Sequence, residues 1–519
     1  MEKKKFYVTT PIYYTNGNFH LGTCYPTILA DAIARYRRAM GYDVFFLTGT
    51  DEHGQKVEQS SAKVGKTPKQ YVDELVADAK DLWKTLDISY DKFIRTTDDY
   101  HEKAVAKIFN KLYEQGDIYK SEYEGLYCVP CETFYTKTQA PDGFCPECKR
   151  ALEQAKEESY FFRLSKYQKE IENLLLNTEF VRQERTRNEM YNNFVKPGLE
   201  DLCVTRTSID WGVHVDFDPK HVVYVWIDAL TNYINALGYM SDDDSLFKKY
   251  WPADIHVVGK EITRFHVIIW PAILMALGLP LPKEVHAHGW LTNSGAKMGK
   301  SLGNGFSPRH LIQHTSVDAV RYYLLKEGPL VQDTPYSTEN YLTVVNKDLC
   351  NMLGNLLSRT TAMAEQNFAG ELPCSNVFDK DQDDALLNQL NSLYNQYVKD
   401  MDEQDFRHAI EKIMSLIDSA NKYIDATEPW NLAKDENKKE RLSTVLYNLT
   451  EVLRVSAILL TPMIPSTCEK VLDALGVKEE NRHFDKARFI DGRQDRTTKI
   501  APLFPRIKVQ EVLKAIQGN

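Results

Sequence analysis

The sequence contains little cysteine, no excess of positive charge and no long uninterrupted apolar run. Its 519 residues include nine cysteines, a low and odd number that excludes a disulfide-rich secreted scaffold and favours a reducing compartment, the cytoplasm. Lys plus Arg number 64 against 73 Asp plus Glu, which excludes a protein that coats nucleic acid or anionic membranes through bulk charge. Glycine and proline, with 25 and 21 residues, are too few for a collagenous or low-complexity chain.

The apolar segments are too short or too interrupted to predict a membrane span. The longest, residues 265–282, contains His266 and three prolines, whereas a span needs about 20 apolar residues. The basic residues near the N-terminus are followed by a short polar stretch instead of the apolar core of a signal peptide. We therefore expect neither a transmembrane helix nor export.

The length predicts several folding units, at roughly 100 to 200 residues each. Strand-like residues 4–12, apolar residues spaced by three and four over residues 28–37, and strand-like residues 43–48 form a βαβ pattern. Three later segments are also strand-like: residues 222–227, 254–258 and 285–290. The predicted fold class is therefore α/β, with a Rossmann-like parallel sheet.

A long insertion interrupts the predicted sheet, and a helical region follows the sheet. The insertion is aromatic, rich in charge and holds four of the cysteines. Beyond residue 346, leucines and other apolar residues recur at helical spacing, which predicts a bundle of helices. The predicted units are the first half of the parallel-sheet domain (1–116), the insertion (117–215), the second half (216–293), a linking region with a loop (294–345) and an α-helical bundle (346–519).

Two Cys-X-X-Cys pairs lie in the insertion. Cys128 pairs with Cys131 and Cys145 with Cys148, and 13 residues separate the pairs. Each pair can present both sulfurs from one tight turn, and four thiolates suit tetrahedral zinc. Because all four ligands would be sulfur, no coordination position stays open, and we predict a zinc knuckle with one structural zinc per chain. A pair of redox dithiols is the alternative.

A phosphate-binding site is predicted where the first strand ends and the first helix begins. His20 and Gly22 lie at this point, after a turn-rich segment. A helix N-terminus favours anions, glycine lets a ligand approach the backbone, and the histidine can donate to a phosphate oxygen. A structural loop histidine is the alternative.

A glycine-flanked loop with two lysines, Lys297 and Lys300, is a second candidate for phosphate binding. Residues 299–301, Gly-Lys-Ser, match the last three positions of the P-loop motif, but that motif requires glycine at position 294, which is Ser294. Two ammonium groups on such a loop could instead neutralise a pyrophosphate leaving group. A solvated surface loop is the alternative.

Together, the two phosphate-binding candidates resemble the two ATP signatures of class I aminoacyl-tRNA synthetases. Residues 20–23 read HLGT, and residues 297–301 read KMGKS, against the KMSKS usual in that class. Four further segments are similar to the methionyl-tRNA synthetase family: residues 10–14, 47–54, 224–230 and 265–272. Thr23 stands where the first signature usually has a second histidine, and Gly299 stands where the second usually has a serine.

The resemblance implies an enzyme that ligates L-methionine to tRNA(Met), the initiator included, through a methionyl-adenylate, with release of pyrophosphate and AMP. The implied catalytic residues are His20, Thr23, Lys297 and Lys300. ATP, with Mg²⁺, would contact His20, Gly22, Gly259, Glu261, His288, Gly289 and Lys300. Asp51 would bind the methionine ammonium group, and the other pocket residues would be Ile12, Tyr14, Trp226, Ala229, Leu230, Tyr233, His266 and Trp270. The implied anticodon-binding residues lie in the bundle: Asn355, Arg359 and Trp430.

Two other interpretations stay open at this point. Class I synthetases for leucine, isoleucine, valine or cysteine share both ATP signatures, although the first three carry longer editing insertions and the cysteine enzyme needs an open zinc site. A non-catalytic, zinc-containing tRNA-binding protein would fit the changes at Thr23 and Gly299. Because the chain ends soon after the bundle, a monomer is expected.

Overall fold

The chain folds as the predicted α/β protein with a parallel sheet, an insertion and a C-terminal helical domain. The computed structural model describes residues 3–15, 17, 19–128, 133–135, 140–146, 149–293, 295–298, 305–372, 377–493 and 495–517. The strands are β1 (Lys5–Tyr14), β2 (Asp43–Asp51), β3 (Lys92–Arg95), β4 (Ile118–Cys128), β5 (Thr133–Tyr135), β6 (Glu153–Phe162), β7 (Leu202–Cys203), β8 (Thr205–Arg206), β9 (His214–Val215), β10 (Asp218–Val223), β11 (Ile255–Gly259), β12 (Glu284–His288), β13 (Leu291–Asn293), β14 (Ala296–Lys297) and β15 (Thr334–Pro335).

The helices connect these strands and build the C-terminal domain. They are α1 (Leu21–Ala39), α2 (Gln55–Lys63), α3 (Pro68–Thr85), α4 (Asp99–Glu114), α5 (Gln168–Asn177), α6 (Glu184–Met190), α7 (Val225–Asn235), α8 (Ser245–Tyr250), α9 (Trp270–Leu277), α10 (Pro308–His314), α11 (Val317–Glu327), α12 (Thr338–Val344), α13 (Asn355–Phe368), α14 (Lys380–Asp402), α15 (Phe406–Thr427), α16 (Pro429–Leu432), α17 (Lys439–Leu460), α18 (Pro465–Ala474) and α19 (Val509–Gln517). Two π-helical segments, Phe265–Ile269 and Val345–Gly354, lead directly into α9 and α13.

The central sheet has five parallel strands in the order β12, β11, β1, β2, β3. Residues 6–11 of β1 are all buried, and its near-continuous run of β-branched and aromatic residues suits a strand covered on both faces. β1 lies between β2, which follows it closely in the chain, and β11, which is some 240 residues away. Strand order therefore reverses between β1 and β11, and ligands of such sheets bind beyond the carboxyl ends of the strands at this point.

The strand predicted over residues 222–227 is wrong in extent and in place. Residues 218–223 form β10, which pairs antiparallel with β8 and β9 in a small separate sheet, and α7 already begins at Val225. The error arises because every residue of α7 from Ile227 to Asn235 is buried. The apolar run over residues 222–227 is too short for its period to distinguish the buried start of a helix from a buried strand.

The insertion is built on a long antiparallel pair. β4 and β6 pair continuously from Ile118 opposite Phe162 to Tyr127 opposite Glu153, and β5 and β7 extend this sheet on either side. The first cysteine pair begins where β4 ends, at Cys128. This ribbon therefore leads directly into the cysteine-containing segment.

The helical domain packs around α17. All residues from Leu442 to Leu460 are buried, whereas α14 and α15 bury one face each. Among the described residues, the stretch Glu436–Leu460 is the one helix that is long and apolar enough to cross a membrane, and its apolar window is wholly buried inside the protein. This is the environment expected for the central helix of a bundle.

The helical domain and the parallel-sheet domain share one hydrophobic core. Tyr36 of α1 packs against Tyr397 of α14 and against Phe484, with ring centroids 6.1 and 6.2 Å apart. Arg321 of α11 is fully buried and donates to Asp31 Oδ2 of α1 at 2.7 Å and to the Met463 carbonyl at 2.8 Å. A buried guanidinium is tolerated only when its N–H groups are paired with acceptors, so this contact fixes α1 relative to the end of α17.

Candidate active site

The candidate active site lies beyond the carboxyl ends of β1, β2, β11 and β12. Two adjoining cavities occupy this edge of the sheet, with volumes of about 310 and 190 Å³. The two cavities have four lining residues in common: Pro11, Ile12, Tyr14 and Ile262. Two ligands bound in them would therefore meet at the end of β1.

His20 is the N-cap residue of α1 at the wall of the larger cavity. Its Nδ1 accepts the backbone N–H of Gly22 at 3.1 Å, so in the neutral ring Nε2 carries the proton and can donate. A Cβ on Gly22 would lie 3.0 Å from His20 Cε1 and 3.7 Å from Met298 Cβ. The absence of a side chain at Gly22 therefore lets the histidine ring and Met298 pack against the start of α1. Thr23, in the same turn, also lines the cavity.

Glu261, Lys297 and Trp290 form a polar group on the opposite wall of the larger cavity. Lys297 Nζ bonds Glu261 Oε1 at 2.7 Å, and the indole N–H of Trp290 donates to Oε2 at 2.7 Å. Desolvation in the cleft would raise the pKa of Glu261, but Lys297 outweighs it and lowers that pKa to about 2. Glu261 is therefore an anion that already holds the first lysine of the loop.

The ends of β11 and β12 bring the backbone close to the same cavity. A Cβ on Gly259 would lie 2.4 Å from Glu261 Oε2, and one on Gly289 would lie 2.5 Å from the Gln332 backbone. Position 289 therefore requires glycine, whereas a side chain at position 259 would displace the Glu261 carboxylate. His288, the last residue of β12, lines the cavity and donates from Nδ1 to the Gly289 carbonyl at 2.7 Å, which leaves Nε2 as an acceptor.

The smaller cavity combines one carboxylate with apolar and aromatic walls. Asp51, the last residue of β2, is 8% exposed and lines it. Trp226 stacks on Phe265 with ring centroids 3.4 Å apart and an interplanar angle of 9°. The remaining predicted pocket residues that line this cavity are Ile12, Tyr14, Ala229, Leu230, Tyr233 and His266.

Tyr233 and His266 form a hydrogen-bond chain with defined directions. The Ile262 carbonyl lies 2.9 Å from His266 Nδ1, so Nδ1 carries the proton and Nε2 accepts from the Tyr233 hydroxyl at 2.7 Å. Burial lowers the pKa of His266 to about 4, so the ring is neutral near pH 7. At this part of the cavity wall the histidine therefore adds no positive charge beside the tyrosine oxygen.

Trp270 is the predicted pocket residue that the structure places differently. It is fully buried, and it is not among the described residues that line either cavity. Its indole N–H donates to His256 Nε2 at 3.2 Å, and its ring lies 5.9 Å from that of Tyr233. Trp270 thus supports Tyr233 from behind, and contact with a ligand would require its movement.

Two family descriptions match most of the chain. "tRNA synthetases class I (M)" matches residues 6–156 and 150–361, and "Anticodon binding domain of methionyl tRNA ligase" matches residues 375–508. The chain belongs to the methionyl-tRNA synthetase family. The predicted function is confirmed: this synthetase ligates methionine to tRNA through a methionyl-adenylate, and the other interpretations of the sequence are set aside.

Individual members of the methionyl-tRNA synthetase family are similar along the whole chain. The methionine–tRNA ligase of Caldanaerobacter subterraneus subsp. tengcongensis is 54% identical over 99% of this chain and 81% of its own length. The Mycobacterium tuberculosis enzyme in complex with methionyl-adenylate is 40% identical, with a TM-score of 0.92 over 97% of this chain and 100% of that one. Its free state is 38% identical, with a TM-score of 0.85 over 98% of this chain and 99% of that one.

Several predicted site residues of this synthetase fall outside the described residues. These are Lys300, Cys131 and Cys148, and their roles stay predictions. Cys128 and Cys145 are described, are fully buried and belong to one small apolar cluster with Leu126 and Ala140. One cysteine of each pair therefore belongs to the same cluster, which a shared metal site requires.

The three predicted anticodon residues of the synthetase lie near one another in the helical domain. Asn355 and Arg359 are one turn apart on α13, and Arg359 bonds Asp425 of α15 at 3.2 Å. Asp425 lies in the last turn of α15, two residues before its end, and α16 with Trp430 follows directly. Trp430 is 43% exposed, which leaves its ring accessible to a base.

Two parts of the synthetase site are not predicted from the sequence. The first is the indole of Trp290, which donates to Glu261. The second part is a buried cluster of His53, His101 and Asp228 behind the smaller cavity. His53 and Asp228 lie in segments that resemble the family and are close in sequence to the pocket residues Asp51 and Trp226, which could have indicated a role. Nothing in the sequence around His101 indicates one.

A separate cluster between the insertion and β10 contains three possible metal-ligand atoms within 4.8 Å of one another, from Glu158, Asp218 and His221. Lys120 Nζ bonds the two carboxylates at 2.9 and 2.8 Å, and Lys220 bonds Glu158 at 2.7 Å. The ammonium groups already supply the positive charge, so we assign no metal to this network.

Acid is expected to destabilise the synthetase through its buried neutral histidines. Burial lowers the pKa of His266 and of His286 to about 4, below the unfolded value of 6.5. The unfolded chain then takes up protons that the folded chain excludes, so the free energy of unfolding falls as pH decreases from 6.5 toward 4, by up to about 1.4 kcal/mol per pH unit for each histidine. Urea unfolding at several pH values measures this. His286→Gln should reduce the slope, and an unchanged slope would contradict the assignment.

Proposed function

We propose that ATP occupies the larger cavity and L-methionine the smaller one, so that the amino-acid carboxylate meets the α-phosphate at the end of β1. A carboxylate oxygen attacks the α-phosphorus, the bond from this phosphorus to the β-bridging oxygen breaks, and pyrophosphate leaves. A hydroxyl of the terminal tRNA ribose then attacks the acyl carbon, and AMP leaves. The observation that carries this assignment is that both cavities share Pro11, Ile12, Tyr14 and Ile262.

Catalysis in this scheme requires alignment and charge stabilisation, and no side-chain nucleophile. His20 Nε2 donates to a phosphate oxygen at the positive end of α1, and Thr23 offers a hydroxyl there. Lys297 and Lys300 neutralise the departing pyrophosphate. Glu261 accepts hydrogen bonds from the ribose hydroxyls, and the backbone at Gly259 contacts the ribose. The backbone at His288 and Gly289 contacts the adenine.

Methionine recognition requires an anion for its ammonium group and polarizable walls for a thioether that hydrogen-bonds weakly. Asp51 supplies the anion, and Trp226, Tyr233 and His266 supply most of the wall. Because His266 is neutral and accepts from Tyr233, this part of the wall offers oxygen lone pairs and ring faces. A charged or strongly polar side chain would lose its hydration there without compensation.

Amino-acid-dependent exchange of labelled pyrophosphate into ATP tests the methionine assignment. Methionine should support exchange, whereas leucine, isoleucine, valine and cysteine at the same concentration should not. Exchange with leucine comparable to that with methionine would show that the smaller cavity does not discriminate by the contacts proposed here.

Trp430 is proposed to stack on an anticodon base, with Asn355 and Arg359 beside it. A stacked base is worth about 1 to 3 kcal/mol, so Trp430→Ala should raise the KM for tRNA about 5- to 150-fold. Pyrophosphate exchange, which needs no tRNA, should not change.

Phe378→Ala is the matched control for this variant. Phe378 is 46% exposed in the same domain and is not among the predicted anticodon residues, so the KM for tRNA should stay near the wild-type value. Equal losses in charging and in exchange for Trp430→Ala would indicate misfolding and would contradict the stacking role.

One structural zinc per chain is proposed for the insertion, held by Cys128, Cys131, Cys145 and Cys148. The burial of Cys128 and Cys145 in one cluster supports this set, and zinc bound to four thiolates would hold the two turns together. Metal analysis of the purified protein should give about one zinc per chain. Cys128→Ser should lower this content, whereas Cys203→Ser, at a buried cysteine outside the pairs, should not.

Mg²⁺ is proposed to enter with ATP and to neutralise its phosphates. The domain boundaries at residues 116, 215, 293 and 345, the monomeric state and the cytoplasmic location stay predictions. Light scattering of the purified protein measures the oligomeric state, and a dimer mass would overturn that prediction.

A further inference from the structure

A buried cluster of two histidines and one aspartate lies behind the smaller cavity. Asp228 of α7 is 1% exposed, and its two oxygens contact His53 Nδ1 and His101 Nε2, each at 2.7 Å. The side chains of His53 and His101 are 5% and 0% exposed. None of the three residues has a role in the scheme above.

Hydrogen bonds define how the cluster is protonated. Asn235 Nδ2 donates to His101 Nδ1 at 3.2 Å, so His101 carries its proton on Nε2 and donates it to Asp228. His53 faces Asp228 with Nδ1 and Glu102 with Nε2, the latter at 3.4 Å. Burial alone would lower the pKa of His53, but Asp228 and Glu102 together outweigh it and raise this pKa to about 10. Asp228 is thus an anion that accepts from the His53 imidazolium and from the Nε2–H of His101.

The cluster joins two elements that supply the smaller cavity. His53 lies two residues beyond Asp51 at the end of β2, and Asp228 lies on α7 between Trp226 and Ala229. The intervening residue Glu52 is fully buried and bonds Arg95 through two contacts of 2.8 Å. The two residues that follow Asp51 in the chain therefore fix its backbone through ion pairs, Glu52 with Arg95 and His53 with Asp228. The second pair connects Asp51 to α7, the helix that forms the facing wall.

We propose that Asp228 is a positioning residue for methionine recognition, which sets the distance between Asp51 and the wall formed by α7. The proposal rests on the proposed function, because it requires Asp51 and α7 to contact methionine. A carboxylate is needed at this position since both partners donate N–H groups. An amide can accept one N–H with its oxygen but turns its own N–H₂ group toward the other.

The test compares Asp228→Asn with Asp254→Asn in pyrophosphate exchange, with the fraction of active sites measured from the burst of adenylate. Asp254 is also buried, at 9% exposure, and accepts the Tyr7 backbone N–H at 2.7 Å, but it precedes β11 at the opposite end of the sheet. Asp228→Asn should raise the KM for methionine at least tenfold and change the KM for ATP less than twofold. Asp254→Asn should change neither KM.

Two further variants separate the possible failures. His101→Leu removes one of the two N–H donors, so it should raise the KM for methionine by a smaller factor, and it keeps the test valid if Asp228→Asn does not fold. An unchanged KM for methionine in both cluster variants, with only a smaller active fraction, would overturn the positioning role. If Asp51→Asn also leaves this KM unchanged, the proposed methionine site itself is wrong.

Discussion

Replacing Lys297 with alanine is expected to lower kcat of methionine-dependent pyrophosphate exchange by about 10²- to 10³-fold, the usual effect of removing one preorganised group that stabilises a developing charge. Lys297 lines the larger cavity and already lies against Glu261, 2.7 Å away. ATP binding would bring the pyrophosphate end of the nucleotide within its reach. Because the charge on the leaving group develops in the transition state, the loss should appear mainly in kcat.

Lys260→Ala is the matched control for Lys297→Ala. Both ammonium groups lie over the ring of Trp290, at 3.8 Å for Lys260 and 4.9 Å for Lys297. Lys260, however, pairs with Asp333 and is not among the described residues that line the cavity. Its replacement should change kcat less than threefold, about 0.6 kcal/mol. Equal losses in the two variants would mean that the wall around Trp290, and not the loop lysine, is what catalysis requires.

Asp51→Asn is expected to raise the KM for methionine by about 30- to 1,000-fold, because truncating a charge pair in a desolvated site costs about 2 to 4 kcal/mol. Asparagine keeps the size of the side chain and removes its charge, so the ammonium group of the substrate loses its partner in a cavity walled by aromatic rings. The ATP site lies across the end of β1, and the KM for ATP should therefore change little.

Steady-state exchange with methionine varied at saturating ATP measures this prediction. The control is the same variant with ATP varied at saturating methionine. A KM for methionine within twofold of the wild-type value would remove Asp51 from the site.

Much of the candidate site follows from the sequence because its residues end regular elements. The βαβ pattern over β1, α1 and β2 predicts that His20 and Asp51 lie at the same edge of the sheet, since both follow the carboxyl ends of parallel strands. The resemblance then adds Glu261 and Lys297, which the chain itself separates from His20 by more than 200 residues. No local pattern predicts that β11 pairs beside β1, because this pairing is set by packing over the whole domain.

The parts that the sequence did not predict are those fixed by tertiary contacts. The apolar run from Val222 to Trp226 fits a strand as well as a buried helix start, and only the packing of α7 decides between them. Trp270 is an aromatic residue of the type that lines such pockets. Its hydrogen bond to His256, however, holds it behind the residues that line the cavity. The pairing of His101 with Asp228 joins α4 to α7 over 127 positions, and neither residue alone indicates it.

The shared core beneath α1 constrains how the synthetase can be divided. α1 begins at the phosphate site, and its other end packs Tyr36 among the rings of the helical domain, while Arg321 links it to the turn after α17. A fragment that stops before residue 346 would expose this apolar face to water and leave a buried guanidinium short of acceptors. The tRNA-reading half is therefore not an interchangeable module: a chimera would have to carry the matching face of α1 with it.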